Sequence, residues 1–450
     1  MKIQENITTG IPTNKKIWQV SYPIILTLVA QNIINVTDTA FLGRVGEVEL
    51  GASALAGIFY IAVFMLGYGF SIGTQIMIGR RNGEKAYQKV GQIFVQANYF
   101  FFFLALVVFS LIYFFATPFL QLIVSSESIL SAGNIYLETR VFGVLFAFGN
   151  LAFRALLVGI TQTKALGYGA FVMAITNVIL DYILIFGNFG FPAMGIKGAA
   201  MASVFAEFSA FIFFIIYTFI KLDRKQFPIF SFPKIDFKII GKTLELSVYV
   251  MAQYFISILT WFTFFAFIEQ MGERPLAISN IIRSIYMVLM IPVMALSTAT
   301  NTLVSNAIGA GFKKDVIKII NKTVMWGVLI ALPIIASMLL IPETMVRIYT
   351  NSQDLIDASV PSVYTISGAV LLFAIAFISF SGVSGTANTK TALVIEVVAL
   401  VFYIAYVYWV TQIKQYPVHI AWTSEYIYMI LLGLLSYIYL FGGRWKKKEI

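Results

Sequence analysis

The chain has 450 residues, 59% of them hydrophobic and only 12% charged, about half the charged share of a soluble domain. It has no cysteine and one histidine, His419, which excludes disulfides, thiolate chemistry and a multi-histidine metal site. The net charge of +10 is read as basic loops beside a membrane, and no nucleic-acid partner is expected.

The amino terminus, MKIQENITTGIPTNKK, lacks the apolar core and small-residue cleavage site of a signal peptide, so the first apolar run is expected to be a retained span. A bilayer-crossing helix needs about 20 apolar residues. Candidates follow at 17–42, 53–78, 93–117, 132–158, 165–187, 196–220, 240–268, 276–306, 321–341, 358–385, 391–412 and 422–441. The fold class is therefore an all-α integral membrane protein with twelve transmembrane helices. If both termini and the loops after spans 2, 4, 6, 8 and 10 share one side, that side carries 24 basic residues. The other carries seven: Arg44, Arg140, Lys197, Arg274, Arg283, Arg347 and Lys414. The asymmetry predicts cytoplasmic termini in a multi-pass inner-membrane protein.

The basic stretch 221–242, KLDRKQFPIFSFPKIDFKIIGK, lies at the midpoint and reads as a cytoplasmic linker between lobes at 1–220 and 243–450. The halves resemble each other. Thr74 and Gly83 of TQIMIGRRNGE match Thr300 and Gly309 of TNTLVSNAIGA, and GITQTK (159–164) matches GTANTK (385–390), all at an offset of 226. Two motifs at one offset predict a repeated, pseudo-symmetric pair of six-helix bundles. Six being even, both bundles enter the membrane from the same side. Repeats of this kind commonly enclose a transport site.

A carboxylate inside a span costs roughly 2.5–3.5 kcal/mol, so it usually faces the bundle interior and has a task. In span 1, Gln31, Asn35 and Asp38 fall at i, i+4 and i+7, one stripe of a helix. Asp38 lies about five residues, or ~7 Å, below the outer end near Gly43. In span 5, Asn177 and Asp181 share a face, with Asp181 ~9 Å down; in span 6, Ser203 and Glu207 do, with Ser203 ~10 Å down. Three helices thus place oxygen ligands in one layer. Amides and hydroxyls in spans also serve as interhelical glue, an equal reading for Gln31 and Ser203. Glu207 is a candidate for the cavity or for a structural hydrogen bond, and Glu396 in span 11 has no assigned role. At the 226 offset, Asp38, Asn177 and Asp181 map to Phe264, Tyr403 and Val407. The carboxylate chemistry is therefore expected in the first lobe, with aromatic and apolar wall in the second. Met173, Phe264 and Met287 are candidate cavity residues.

The stretch NVTDTAFLGRVGEVELGASALAG, with FRALLVGITQTKAL, TNVILDYILIFG, GIKGAAMASVFAE and ATNTLVSNAIGAGF, resembles the MATE family, the multidrug and toxic compound extrusion transporters. The likeness covers nearly the whole chain, in family order. It implies two six-helix bundles around a central cleft and efflux of organic, often cationic, compounds in exchange for H⁺ or Na⁺. In the DinF-like branch the coupling residues fall on Asp38, Asn177, Asp181 and Ser203, with Gln31 at a further polar position. The acids that the NorM-like branch carries in helices 7 and 10 are lacking here.

The expected mechanism is antiport. Asp38 and Asp181 share a proton, titrating as a pair, and helix 1 repacks as that charge comes and goes. Sodium at Asp38, Asn177 and Asp181 is the rival coupling ion, since their oxygens suit a hard cation. No other cofactor is expected. The partners are small organic molecules and membrane lipids, and the protein is expected to be a monomer. A lipid-linked precursor flippase of the same superfamily would want basic residues in the cavity. An intramembrane enzyme is disfavoured by the paired lobes and by the lack of an HExxH motif. A passive channel would differ from an antiporter in showing no uphill transport.

Overall fold

Every regular element of the described chain is a helix, as a backbone in lipid must satisfy its own polar groups. A computed structural model describes residues 10–124 and 126–448, apart from the side chains of 119, 122 and 123. Residues 1–9 of the amino-terminal segment, expected above to lack a signal peptide, lie outside it. The helices are α1 Asn14–Val45, α2 Glu47–Gly83, α3 Tyr87–Ile123, α4 Glu127–Arg140, α5 Gly143–Gly159, α6 Lys164–Phe186, α7 Gly195–Lys221 and α8 Phe237–Glu269. They continue as α9 Glu273–Leu289, α10 Ile291–Gly309, α11 Val316–Leu340, α12 Pro342–Arg347, α13 Gln353–Gly385, α14 Thr389–Tyr408, α15 Val418–Ala421 and α16 Ser424–Gly442. Among the described residues, ten helical segments are each long and apolar enough to cross a membrane. The pairs α4–α5 and α9–α10 are bent by 51° and 49°, and counting each as one span gives the expected twelve.

The chain divides into two units. One is Tyr22–Met251; the other comprises the described residues of Met1–Ser21 and Ala252–Ile450. The divisions fall inside α1, beside Pro23, and inside α8, rather than in the 221–242 stretch. That stretch packs back on α3 in the first unit. Gln96 Nε2 donates to the Lys234 carbonyl at 2.8 Å and its Oε1 accepts from the Asp236 amide at 2.8 Å. The Tyr87 ring lies 5.1 Å from that of Phe227. In the second unit α13 is central, packed by α9, α10, α11 and α16.

The repeat is visible in the backbone. Left-handed residues pair at the same 226-residue offset: Lys85 (φ 59°) with Gly311 (φ 89°), Thr161 (φ 60°) with Ala387 (φ 71°), and Phe189 (φ 56°) with Gln415 (φ 51°). Each sits in a turn between spans, so both halves reverse direction with the same local geometry. A side chain in this region costs roughly 1–2 kcal/mol. Lys85 is exposed, and the space where a Cβ would sit on Gly311 is open, so at both positions the backbone angle decides. Lys85→Gly is expected to raise the midpoint of thermal unfolding and Gly311→Ala to lower it, each by the equivalent of about 1 kcal/mol. Thermal scanning of the purified protein checks both signs.

Candidate functional site

The first unit sets its polar residues at one level by stacking them against a shared apolar layer. Leu42 (2% exposed), Ile185 (2%) and Ala199 (1%) pack in one cluster with Ala52, Ala132 and Ile196. Each of the first three lies four residues, about one helical turn, from Asp38, Asp181 and Ser203 respectively. Close approach of α6 and α7 helps: a Cβ on Gly198 would lie 2.6 Å from the Leu184 carbonyl oxygen, so only glycine lets the helices meet there.

Within that layer Asp38 faces Asp181, Asn177 and Ser203. Asn177 and Asp181 are fully buried and Ser203 nearly so. Asp38 Oδ1, both carboxyl oxygens of Asp181 and both amide atoms of Asn177 are buried without a hydrogen-bond partner. Two ionised carboxylates are acceptors only. Facing each other in a low-dielectric layer, they need a proton or a cation to hold them together. The orphaned oxygens of Asp38, Asp181 and Asn177 are a hard-cation donor set.

Beside this pair stands a different solution to the same problem. Glu207, one turn from Ser203 on α7, receives a bidentate ion pair from Arg140 at the end of α4, with Nη1–Oε2 2.7 Å and Nη2–Oε1 2.6 Å. The guanidinium lies 4.0 Å from the Tyr60 ring centroid, and Tyr60 Oη donates to Glu207 Oε1 at 3.4 Å. Tyr136 faces Arg140, Asp38 and Glu207 together. A Cβ on Gly143 would meet both Arg140 Nη1 and Glu207 Oε2, so the glycine that opens α5 leaves room for the pair. The sequence reading puts Arg140 inside the span 132–158 and counts it among the outer-side cations, without a partner. It is 9% exposed and lies inside the bent α4–α5 span. Hydropathy carries the span through the charge but cannot see the partner that lets it stay.

A cavity of about 120 Å³ adjoins these groups, lined among others by Gln31, Met173, Glu207, Asn150 and Arg154. Met173 and Glu207, candidate cavity residues, line it, and so does Gln31, a candidate coupling residue. Asn35 is exposed and joins neither the cavity lining nor the groups around Asp38. Phe264 is 2% exposed, with its ring 5.1 Å from Trp422 and 6.1 Å from Tyr403. It is core packing of the second unit rather than a wall with a free face. Met287 is 55% exposed on α9.

The family model described as MatE matches residues 23–183 and again 250–409. The chain belongs to the MATE family. Its two matches begin close to the sequence offset apart, so the family unit is itself the repeat. Among curated relatives of this MATE chain is a probable multidrug resistance protein NorM of Agrobacterium fabrum, 28% identical over 304 residues, 66% of this chain and 64% of that protein. The chain thus aligns with a little under two thirds of that relative. The probable multidrug resistance protein YoeA of Bacillus subtilis is 24% identical over 346 residues, 73% of this chain and 74% of its own length. Among solved structures, an outward-facing multidrug resistance MATE family transporter superposes with a TM-score of 0.87 at 16% identity, covering 97% of each chain. A MOP superfamily transporter from Pyrococcus furiosus gives 0.85 at 16% identity, covering 96% of this chain and 95% of that one. Both solved structures are named as transporters.

The buried ion pair of this MATE chain makes a sharp prediction. Arg140→Met leaves a lone carboxylate in the bundle and is expected to cost about 3–5 kcal/mol. Adding Glu207→Leu is expected to recover most of that loss. A double-mutant cycle on thermal stability measures it, and simply additive losses would show that the two side chains do not depend on each other.

Proposed function

We propose that this chain is a secondary active multidrug efflux antiporter that exports organic, often cationic, compounds in exchange for H⁺ or Na⁺. The observation that carries the reading is the pair Asp38–Asp181, facing each other with three buried carboxyl oxygens unpartnered. Uncompensated negative charge in a membrane interior is costly, so the pair is built to hold an exchangeable cation. Glu207, by contrast, is neutralised permanently by Arg140.

Exchange follows from that difference. A cation at Asp38 and Asp181 removes charge between α1, α6 and α7, and its departure restores it. The helix best able to answer is α1. Pro23 lies inside it and has no N–H to give to the carbonyl one turn back, which weakens the helix there. The Thr27 hydroxyl donates to the Pro23 carbonyl at 2.9 Å, and Thr27 lines the cavity with Gln31 and Ile34. Movement of α1 about Pro23 therefore changes both the acid pair and the cavity wall. At about 120 Å³ the cavity is smaller than the ~300 Å³ of a drug-sized site, so a substrate enters only with such a movement. The membrane potential supplies about 2.3 kcal/mol per inward charge per 100 mV.

We favour H⁺ as the coupling ion, through Asp38, Asp181, Asn177 and Ser203 in the manner of the DinF-like branch. In this reading the chain works in the inner membrane as a monomer with cytoplasmic termini. A flippase reading draws on Arg154, which lines the cavity with its guanidinium 4.7 Å from the Tyr68 ring, whereas the antiport reading draws on the unpartnered acids Asp38 and Asp181. Proteoliposomes with H⁺ and Na⁺ gradients imposed separately test the proposal. Asp38→Asn and Asp181→Asn are each expected to reduce gradient-driven efflux of an organic cation to background. Normal pumping by both variants at wild-type abundance would sink it, and gradient-independent movement of an anionic lipid would favour the flippase.

A further inference from the structure

The second unit buries two carboxylates of its own. Glu396 on α14 and Glu425 in the first turn of α16 are each 4% exposed. Around them the structure sets groups from every neighbouring helix. Ser257 of α8 donates to Glu396 Oε1 at 2.5 Å, and Tyr428 of α16 donates to the same oxygen at 3.3 Å. Tyr286 of α9 donates to Glu425 Oε2 at 3.2 Å. Tyr403 of α14 lies against Glu425 and Ser424, and Tyr428 faces both acids, its ring 6.0 Å from that of Tyr403. Phe373 of α13 stacks edge-on to Tyr286, and Phe264, itself packed on Trp422, lies against Tyr403.

Among the described residues neither acid takes part in an ion pair. Glu396 Oε2 and the hydroxyl oxygen of Ser424, itself fully buried, have no hydrogen-bond partner. Each ionised carboxylate offers about four acceptor positions, whereas a phenol or serine brings one proton. Neutral donors alone thus leave two negative charges unbalanced within an apolar bundle. Neither acid is a product of the repeat: at the 226 offset Glu396 corresponds to Ala170 and Glu425 to Ala199. Nor do they match Asp38 and Asp181, whose counterparts are Phe264 and Val407.

We propose that the cluster of Glu396, Tyr428, Tyr403 and Glu425 is a second cation-binding site, in the carboxy-terminal unit, that takes a proton or a sodium ion on an all-oxygen donor set. The proposal departs from the expectation that carboxylate chemistry belongs to the first lobe alone. Part of the transport cycle's cation load is then carried by residues of α14 and α16. That role in transport rests on the antiport reading, whereas the binding itself does not.

Infrared difference spectra of the protein in lipid nanodiscs test the binding directly, recorded after a rise in pH and after adding Na⁺ at constant pH. The expected result is a protonated-carboxyl band that is bleached by one or both treatments. It is diminished in Glu396→Gln and in Glu425→Gln, and retained in Asp38→Asn/Asp181→Asn. Bleaching by Na⁺ at constant pH identifies a sodium-exchanging site, and bleaching by pH alone a proton site. Both glutamines are isosteric with glutamate. Tyr428→Phe adds a charge-neutral variant, expected to shift the frequency of the band by removing a donor to Glu396. The proposal is overturned if the spectra of wild type and both glutamine variants superimpose at every pH and Na⁺ concentration. Efflux by Asp38→Asn/Asp181→Asn bears only on the antiport reading.

Discussion

Negative charge placed among lipid-embedded helices must be neutralised, and the rest of this structure follows from how that is done. Glu207 is neutralised by a covalently tethered cation, the Arg140 guanidinium, which grips both its oxygens and stacks on Tyr60. Such a partner cannot leave. Asp38 and Asp181 have each other, an amide and a hydroxyl, and three of their oxygens are buried without a donor. Their partner must come from outside the chain. One acid is thereby fitted for architecture and, in the proposed antiport, the other two for exchange, although Glu207 lies only one turn along α7 from the Ser203 that faces Asp38.

The scaffold makes that distinction possible through helical periodicity and small residues. A single turn separates the polar layer from the apolar cluster of Leu42, Ile185 and Ala199, so packing of the cluster sets the depth of the acids. Glycines at 143 and 198 remove the Cβ atoms that would push apart the ion pair and the α6–α7 contact. The duplicated turns, left-handed at 85 and 311, 161 and 387, and 189 and 415, show a scaffold copied in its reversals. The acids were not copied. Each unit has its own buried carboxylates at positions where the other carries apolar residues, so the repeat supplies the frame and divergence supplies the chemistry.

Much of this is legible in the residues. Twelve spans follow from apolar length, and the 226-residue offset follows from two short motifs that the turn geometry and the doubled family match both respect. The layer formed by Asp38, Asn177, Asp181 and Ser203 emerges from counting residues down from span ends, because helix rise is constant. What stays hidden depends on contacts distant in sequence. Arg140 looks like an unpaired cation within its span because its partner is 67 residues away. Glu396 looks unaccompanied because Ser257 is 139 residues distant and Tyr428 is 32. Glu425 sits where a span begins, where charge is ordinary, and only the tyrosine from α9 reveals that it is buried. Phe264 reads as cavity wall because an aromatic in a span has no periodic sign of which neighbour it touches.

The central claim is that the Asp38–Asp181 pair holds a cation whose release is linked to substrate binding. The most direct measurement counts the ions released when a saturating organic cation is added to purified protein, using a pH indicator in weak buffer and a sodium-selective electrode. A drop of roughly one H⁺ or Na⁺ in the number released per protein, when both aspartates are replaced by asparagine, is the expected result. Binding of the organic cation with the same ion release in that double variant would contradict the claim.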